Sequence, residues 1–224
     1  MSPQPGEKRL PLVAIYADES CLGNGREGSN PGGAGGVIEY VGERSKRPQL
    51  TRWDYWISEP ATTNNRMALR SVIEAFRAVS RKGGRFRVQF TSDSQYLVRG
   101  MKEWVQVWIA RGWTRKGGPI ENLDLWRAAV DAVRDHQCAW QWVRGHRGHP
   151  QNEYANHLAT RAARDQTNSD GLVASGFDEW LAVERSRGRV TTEPARFPDD
   201  AAFRAQPPFP LVRALAEPAG PTPK

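Results

Sequence analysis

Between residues 12 and 17 the chain is apolar for six positions, LVAIYA, and it then meets a carboxylate, Asp18, and the turn-rich stretch SCLGNGREGSNPGG. A short apolar run bounded by Gly, Asn and Pro predicts a buried strand. Residues 37–40 and 51–57 predict two more, and in the second Trp53, Tyr55 and Ile57 share one face, as period-two alternation requires. After Pro60 the period changes. Met67, Leu69, Val72, Ile73, Phe76 and Val79 recur at intervals near 3.6, Thr62 or Thr63 stands where a cap is needed, and Gly83-Gly84 ends the segment, so a helix is predicted. Residues 86–90 form another candidate strand that runs into Asp93. Helical patterns over 95–110 and 123–134, a strand over 139–143 and a helix from Pro150 to about 163 complete the series. Three strands, a helix, a strand, helices, a strand and a helix describe an α/β chain: a mixed sheet with helices packed on it.

Past residue 165 the pattern lapses. Eight of the sixteen prolines lie there, and the chain ends in EPAGPTPK. The chain divides into a flexible N-terminus (1–8), a domain (9–165) and a Pro-rich, mostly irregular extension (166–224) that cannot build its own core, a short helix around 178–185 apart.

Composition narrows the function classes. With 224 residues, 38% hydrophobic and 25% charged, the chain can bury a good-sized core and is too apolar for a disordered tail. No run of 18 apolar residues suits a membrane span, and the N-terminal stretch lacks the small-residue cleavage site of a signal peptide. Two cysteines, Cys21 and Cys138, argue against a disulfide scaffold and fit a reducing compartment, so a cytoplasmic location is expected. The net charge of +7 resolves on division: residues 166–224 hold 7 Lys+Arg against 8 Asp+Glu, leaving 25 against 17, or +8, on residues 1–165. A polyanionic partner is therefore expected of that domain.

Asp18 and Asp93 both follow predicted strands, at the edge where ligands collect in open α/β sheets. Acidic groups set in a basic, tryptophan-rich domain suit a metal-dependent phosphodiesterase, in which carboxylates hold divalent cations and Lys and Arg hold the phosphate backbone.

Four linked motifs sharpen this: TTNNRM (62–67), TSDSQYL (91–97), the tryptophan series Trp104, Trp108 and Trp113 followed by ENLDLW (121–126), and WVRGHRGHPQNEYANHLA (142–159). In order and interval they resemble bacterial type 1 ribonuclease H, over about residues 10–165. The resemblance implies a ribonuclease H-like fold with a five-stranded mixed sheet and helices on both faces. It implies endonucleolytic hydrolysis of the RNA strand of an RNA/DNA hybrid with two Mg2+ ions, Mn2+ being an alternative, leaving 5′-phosphate products. A monomer working on the hybrid duplex is expected.

Carried over residue by residue, the resemblance makes Asp18 and Asp93 the first and third of four acidic metal ligands. The second should be a glutamate directly after NNRM, where this chain has Ala68, and the fourth should be an aspartate, where it has Asn156. An amide oxygen still ligates a hard cation, without charge. Ala68 brings nothing. A carboxylate facing a dication at ~4 Å is worth roughly 8 kcal/mol before solvation at an effective dielectric of ~20. Glu19 adjoins Asp18, but adjacent strand residues point to opposite faces, so it is expected to look away from the ions; Glu74, six residues past Ala68, is expected on the far side of its helix. Reduced activity follows as an expectation, with a catalytically inactive hybrid-binding protein as the alternative.

The resemblance makes His146 the histidine that assists proton transfer or product release and leaves His149 without a catalytic role. It gives Thr63, Asn64, Asn65 and Gln95 to the duplex, the first of which also cap a helix. Trp104, Trp108 and Trp113, with Arg111, Arg115 and Lys116, would form a DNA-gripping handle over about 100–120, with Asn122 beside it, and Asn24 or Asn30 would be the loop asparagine that touches substrate. Trp126, Trp140 and Trp142 are expected in the core.

Overall fold

The computed structural model describes residues 9–23, 30–44, 47–81, 83–145 and 148–206. Strands β1 (Leu12–Cys21), β2 (Gly32–Arg44) and β3 (Arg47–Glu59) form an antiparallel meander. Helix α1 (Asn64–Ser80) leads to β4 (Arg87–Ser92), which pairs with β1 in parallel. Helix α2 (Gln95–Arg99), a π-helical turn (Gly100–Trp104), α3 (Val105–Ala110) and α4 (Leu123–Val133) precede β5 (Gln137–Trp142), which is parallel to β4. Helix α5 (Pro150–Asp165), strand β6 (Val173–Ala174) and α6 (Phe177–Ser186) follow. The sheet order is β5-β4-β1-β2-β3-β6.

Side-chain alternation along β1 separates two layers. Val13, Ile15 and Ala17 join Ala68, Leu69 and Val72 of α1 in the larger core, whereas Ala14 and Tyr16 join Tyr154 and Leu158 of α5 on the other face. Thr63 caps α1, its side chain accepting from the Arg66 N–H, and the predicted apolar stripe of that helix is buried. Helix α5 lies so close to β2 that a Cβ on Gly33 would come within 2.2 Å of the Ala159 carbonyl oxygen, so only glycine lets the helix settle there.

Two features differ from the sequence pattern. The stretch 95–110 is not one α-helix, since a π-helical turn interrupts it where Gly100 abuts Trp126. The sheet has six strands, not five, because the extension supplies β6, which pairs Val173 and Ala174 with Asp54 and Trp53 of β3. Asp54, 3% exposed, explains the attachment: it accepts from Ser175 Oγ (2.6 Å), the Gly176 N–H (3.0 Å) and Tyr154 Oη (2.5 Å). Phe177, Leu181 and Val190 then bury themselves against the α5 layer. Farther on, the Gln206 N–H donates to the Cys138 carbonyl, and its side-chain oxygen accepts from the Trp140 N–H on β5. The extension thus uses the domain's surface in place of a core of its own.

Candidate active site

Parallel pairing of β1 with β4 ends at Ala17 and Ser92, while β1 continues along β2 with Asp18 opposite Gly35 and Glu19 opposite Ala34. Asp93 follows β4 directly. The two parallel strands therefore part at their C-terminal ends, and the gap collects the side chains that emerge there. Oxygen atoms of Asp18, Glu19 and Asp93 all lie within 4.8 Å of one another.

The expectation for Glu19 is corrected here. Alternation does send Asp18 toward α5 and Glu19 toward the α1 face, but β4 has ended, so Asp93 is within reach of both faces around the strand end. The α1 face is also the face on which Ala68 lies, fully buried in the same core as Ala17. Glu19 thus delivers a carboxylate from the strand on the α1 side, where the resemblance led one to be expected at position 68. Glu74 is not in the cluster.

Electrostatics mark the three groups as crowded. Asp18, 5% exposed, has its carboxyl pushed far above the usual carboxylate range, first by burial, then by the charges of Asp93 and Glu19. A hydrogen bond from the Glu19 N–H to Asp18 Oδ1 (2.7 Å) partly opposes this. Burial and Asp93 push Glu19 up to about 8, against a hydrogen bond from Ser94. Like charges held this close in a poorly solvated niche favour protonation or a cation.

Helix α5 contributes a residue that the sequence pattern left out. Asn152 Nδ2 donates to Asp18 Oδ2 (2.8 Å), and its buried Oδ1 has no partner among the described residues. Asn156 lies one turn further on the same helix face, half-buried, with its Oδ1 3.5 Å from Thr160 Oγ1. The i, i+4 spacing of the two asparagines was the available signal. His149 caps α5, its Nδ1 accepting from the Asn152 N–H, and its ring lies 5.4 Å from that of Tyr16. Trp142, expected in the core, is corrected: it is 44% exposed at the end of β5 and donates from Nε1 to the Asp93 carbonyl (2.9 Å). Gly145 sits against the Asp93 carboxylate, where a Cβ would come within 2.1 Å of Oδ2. His146 and Asn24 lie outside the described residues. Asn30 is placed at the start of α1, its carbonyl accepting from the Thr62 N–H.

Of the expected duplex contacts, Thr63 and Gln95 are exposed, and Asn64 and Asn65 are half-buried, at the N-termini of α1 and α2. The Asn64 Oδ1 has no partner among the described residues. Arg111, Arg115 and Lys116 are exposed on the segment after α3. Trp104 and Trp108 pack with Trp126 and Tyr96, and with Arg115, Ile120 and Glu121 they line a cavity of about 270 Å³. Trp113 adopts φ +63° and lies beneath the Arg127 guanidinium. Asn122 bridges Arg66 of α1 and Tyr96 of α2. Trp126 and Trp140 are buried, as expected.

The RNase H family model matches residues 11–164. The chain belongs to the RNase H family. Curated ribonucleases H agree: that of Methylococcus capsulatus is 38% identical over 165 residues, 73% of this chain and 97% of its own length. That of Cupriavidus metallidurans is 44% identical over 150 residues, 66% of this chain and 93% of its own. The crystal structure of LC9-RNase H1, described as a type 1 RNase H with the type 2 active-site motif, is 60% identical, with a TM-score of 0.83 over 96% of this chain and all of that one. The RNase H domain of a foamy virus shares the fold at 20% identity, with a TM-score of 0.54. The expected α/β RNase H fold is thus the observed one.

The donor set fits the divalent cations on which the RNase H family depends: three carboxylates in mutual reach, two with ionisation suppressed by burial and repulsion, and an orphaned amide oxygen beside them. Among the described residues no helix is long and apolar enough to cross a membrane.

Proposed function

We propose that this chain is an active endoribonuclease that hydrolyses the RNA strand of RNA/DNA hybrids, with Glu19 taking the ligand place that Ala68 leaves empty. The observation that carries this is the convergence of Asp18, Glu19 and Asp93 within 4.8 Å. The description of LC9-RNase H1, 60% identical, as a type 1 enzyme with a different type's active-site motif accords with a relocated ligand.

Asp18, Glu19 and Asp93 hold Mg2+ or Mn2+, with the Asn152 and Asn156 amides on the α5 side. When bound, the cations stabilise charge on the scissile phosphate and lower the pKa of a water. The Asn152 amide keeps Asp18 oriented, and Gly145 and Trp142 keep Asp93 in place. His146 moves the proton. Thr63, Asn64, Asn65 and Gln95 take the duplex at two helix N-termini, where unpaired N–H groups suit phosphate and 2′-hydroxyl oxygens. Arg111, Arg115 and Lys116 hold the DNA backbone. One chain suffices for one duplex.

The test is cleavage of end-labelled hybrid in Mg2+ and in Mn2+ by the unaltered chain and by the Ala68→Glu, Asn156→Asp double variant. Cutting by the unaltered chain at a rate comparable to the double variant is expected. Gel-shift binding with cleavage only after the double substitution would favour a hybrid-binding protein without chemistry.

A further inference from the structure

The extension reaches the first turn of α5, next to Asn152, through one buried side chain. Gln151, fully buried in the first turn of α5, donates from Nε2 to the Ala195 carbonyl (2.9 Å) and accepts at Oε1 from the Ala195 N–H (3.0 Å). Its amide thereby pairs with one backbone residue of the extension as a strand neighbour would. The next residue is Asn152, whose side chain holds Asp18. The extension also meets the chain just before α5: a Cβ on Gly148 would come within 2.9 Å of Thr192 Cγ2.

Such a pin has a physical reason. The first turn of a helix leaves its N–H groups without intrahelical partners and is the turn that frays. Here the cap is an imidazole acceptor, His149 Nδ1, at 3.4 Å from the Asn152 N, a long and weak hydrogen bond. Residues 192–195 are themselves held from both sides. Upstream, Arg185 donates to the Thr192 carbonyl (3.1 Å) and pairs with Glu193 (2.8 Å), while Phe177 and Trp180 pack on Tyr154. Downstream, Asp200 pairs with Arg87, which is 5% exposed at the start of β4.

We infer that the extension is a brace for the active site: through Ala195 it fixes Gln151, and with it the first turn of α5, so that Asn152 stays on Asp18. Gln151 is a positioning residue that touches neither substrate nor metal. The inference rests on the site holding divalent cations, as proposed above. It gives the Pro-rich segment a part in metal affinity, although it lies outside the residues matched by the family model.

The full-length chain, freed of metal, is titrated with Mn2+ by calorimetry, and its hybrid cleavage is measured in parallel. Gln151→Met keeps the volume and removes both hydrogen bonds. It is expected to weaken Mn2+ binding about tenfold, the low end for groups that orient a ligand from outside the coordination sphere. It should lower kcat and leave KM for the hybrid unchanged. Asp200→Ala loosens the extension at its downstream anchor while Arg185 still holds Thr192 and Glu193; it is expected to lower the melting temperature and to weaken Mn2+ binding less than Gln151→Met does. Unaltered Mn2+ affinity in Gln151→Met overturns the brace, as does an equal loss in Asp200→Ala at equal melting temperature. If Gln151→Met does not fold, Ala195→Pro, which removes one of the two hydrogen bonds from the extension side, carries the same expectation. Failure of the unaltered chain to bind Mn2+ or cut hybrid would instead overturn the proposed function.

Discussion

The carboxylate cluster at the ends of β1 and β4 and the basic segment after α3 are opposites in charge and in solvation. The first draws three like charges into a niche where one of them, Asp18, is 5% exposed. The second spreads Arg111, Arg115 and Lys116 over open surface. Charges in water are screened and individually weak, whereas charges in a poorly solvated cluster each alter the ionisation of the others. On the proposed reading the cluster therefore answers to the number of carboxylates more than to the element that supplies them. The handle responds to its summed charge. A ligand has on that reading moved from helix to strand while the basic segment, which contains neither Ala68 nor Glu19, keeps its charges.

The largest effect that would break this contrast is at Glu19. Glu19→Gln keeps the shape and removes the charge, and single-turnover cleavage is expected to fall about 10³-fold, the rate equivalent of roughly 4 kcal/mol. Hybrid affinity measured without cleavage should stay unchanged; a small rate effect would return the ligand role to question. Next in size, Ala68→Glu placed in a Glu19→Ala background should restore at least about a tenth of the lost activity if strand and helix positions are interchangeable. No recovery in the same assay would mean that the niche accepts a carboxylate only from β1.

In the handle, replacing Arg111, Arg115 and Lys116 together by Ala should flatten the slope of log affinity against log salt by about 3, close to one per lost phosphate contact. The saturating cleavage rate should hold. The smallest effect concerns stability. The folded protein holds Glu19 up to about 8 and Asp18 in the same direction, so it keeps protons that ordinary carboxylates in the unfolded chain release near pH ~4. That stability is full below the unfolded values and is lost as pH rises toward about 8. A melting temperature in EDTA that falls by a few degrees over that window, and recovers with Mn2+, is expected. A flat profile would show that the cluster is not crowded.

Periodicity made β1 to β5 and all the long helices legible, because each buries one face against a partner and the pattern records it. The π-helical turn was not legible, since it answers to Trp126, which lies far along the chain from Gly100. At the site, alternation correctly sent Glu19 to the α1 face. It could not show that β4 stops at Ser92, so that the two faces meet around the strand end. Trp142 carries a core composition on an exposed strand end and is held there by a backbone carbonyl, a contact that leaves no trace in spacing. The extension's few apolar residues are too sparse for a core. Their meaning lay in partners upstream, such as buried Asp54 and Arg87, that needed something to bond.

The course of the extension also bears on how these molecules behave together. Along β3, Asn168 meets the Ser58 N–H, Ser169 meets the Trp56 N–H and carbonyl, and the Ser175 N–H reaches the Arg52 carbonyl; along β5, Gln206 takes Cys138 and Trp140. β5 and β3, which would be the outer strands without β6, thus have backbone groups already engaged by the same chain. Bare strand edges template pairing with other molecules, which leads to aggregates and exchanged dimers. A chain ended near residue 165 would expose both, and its first failing in concentrated solution would be self-association.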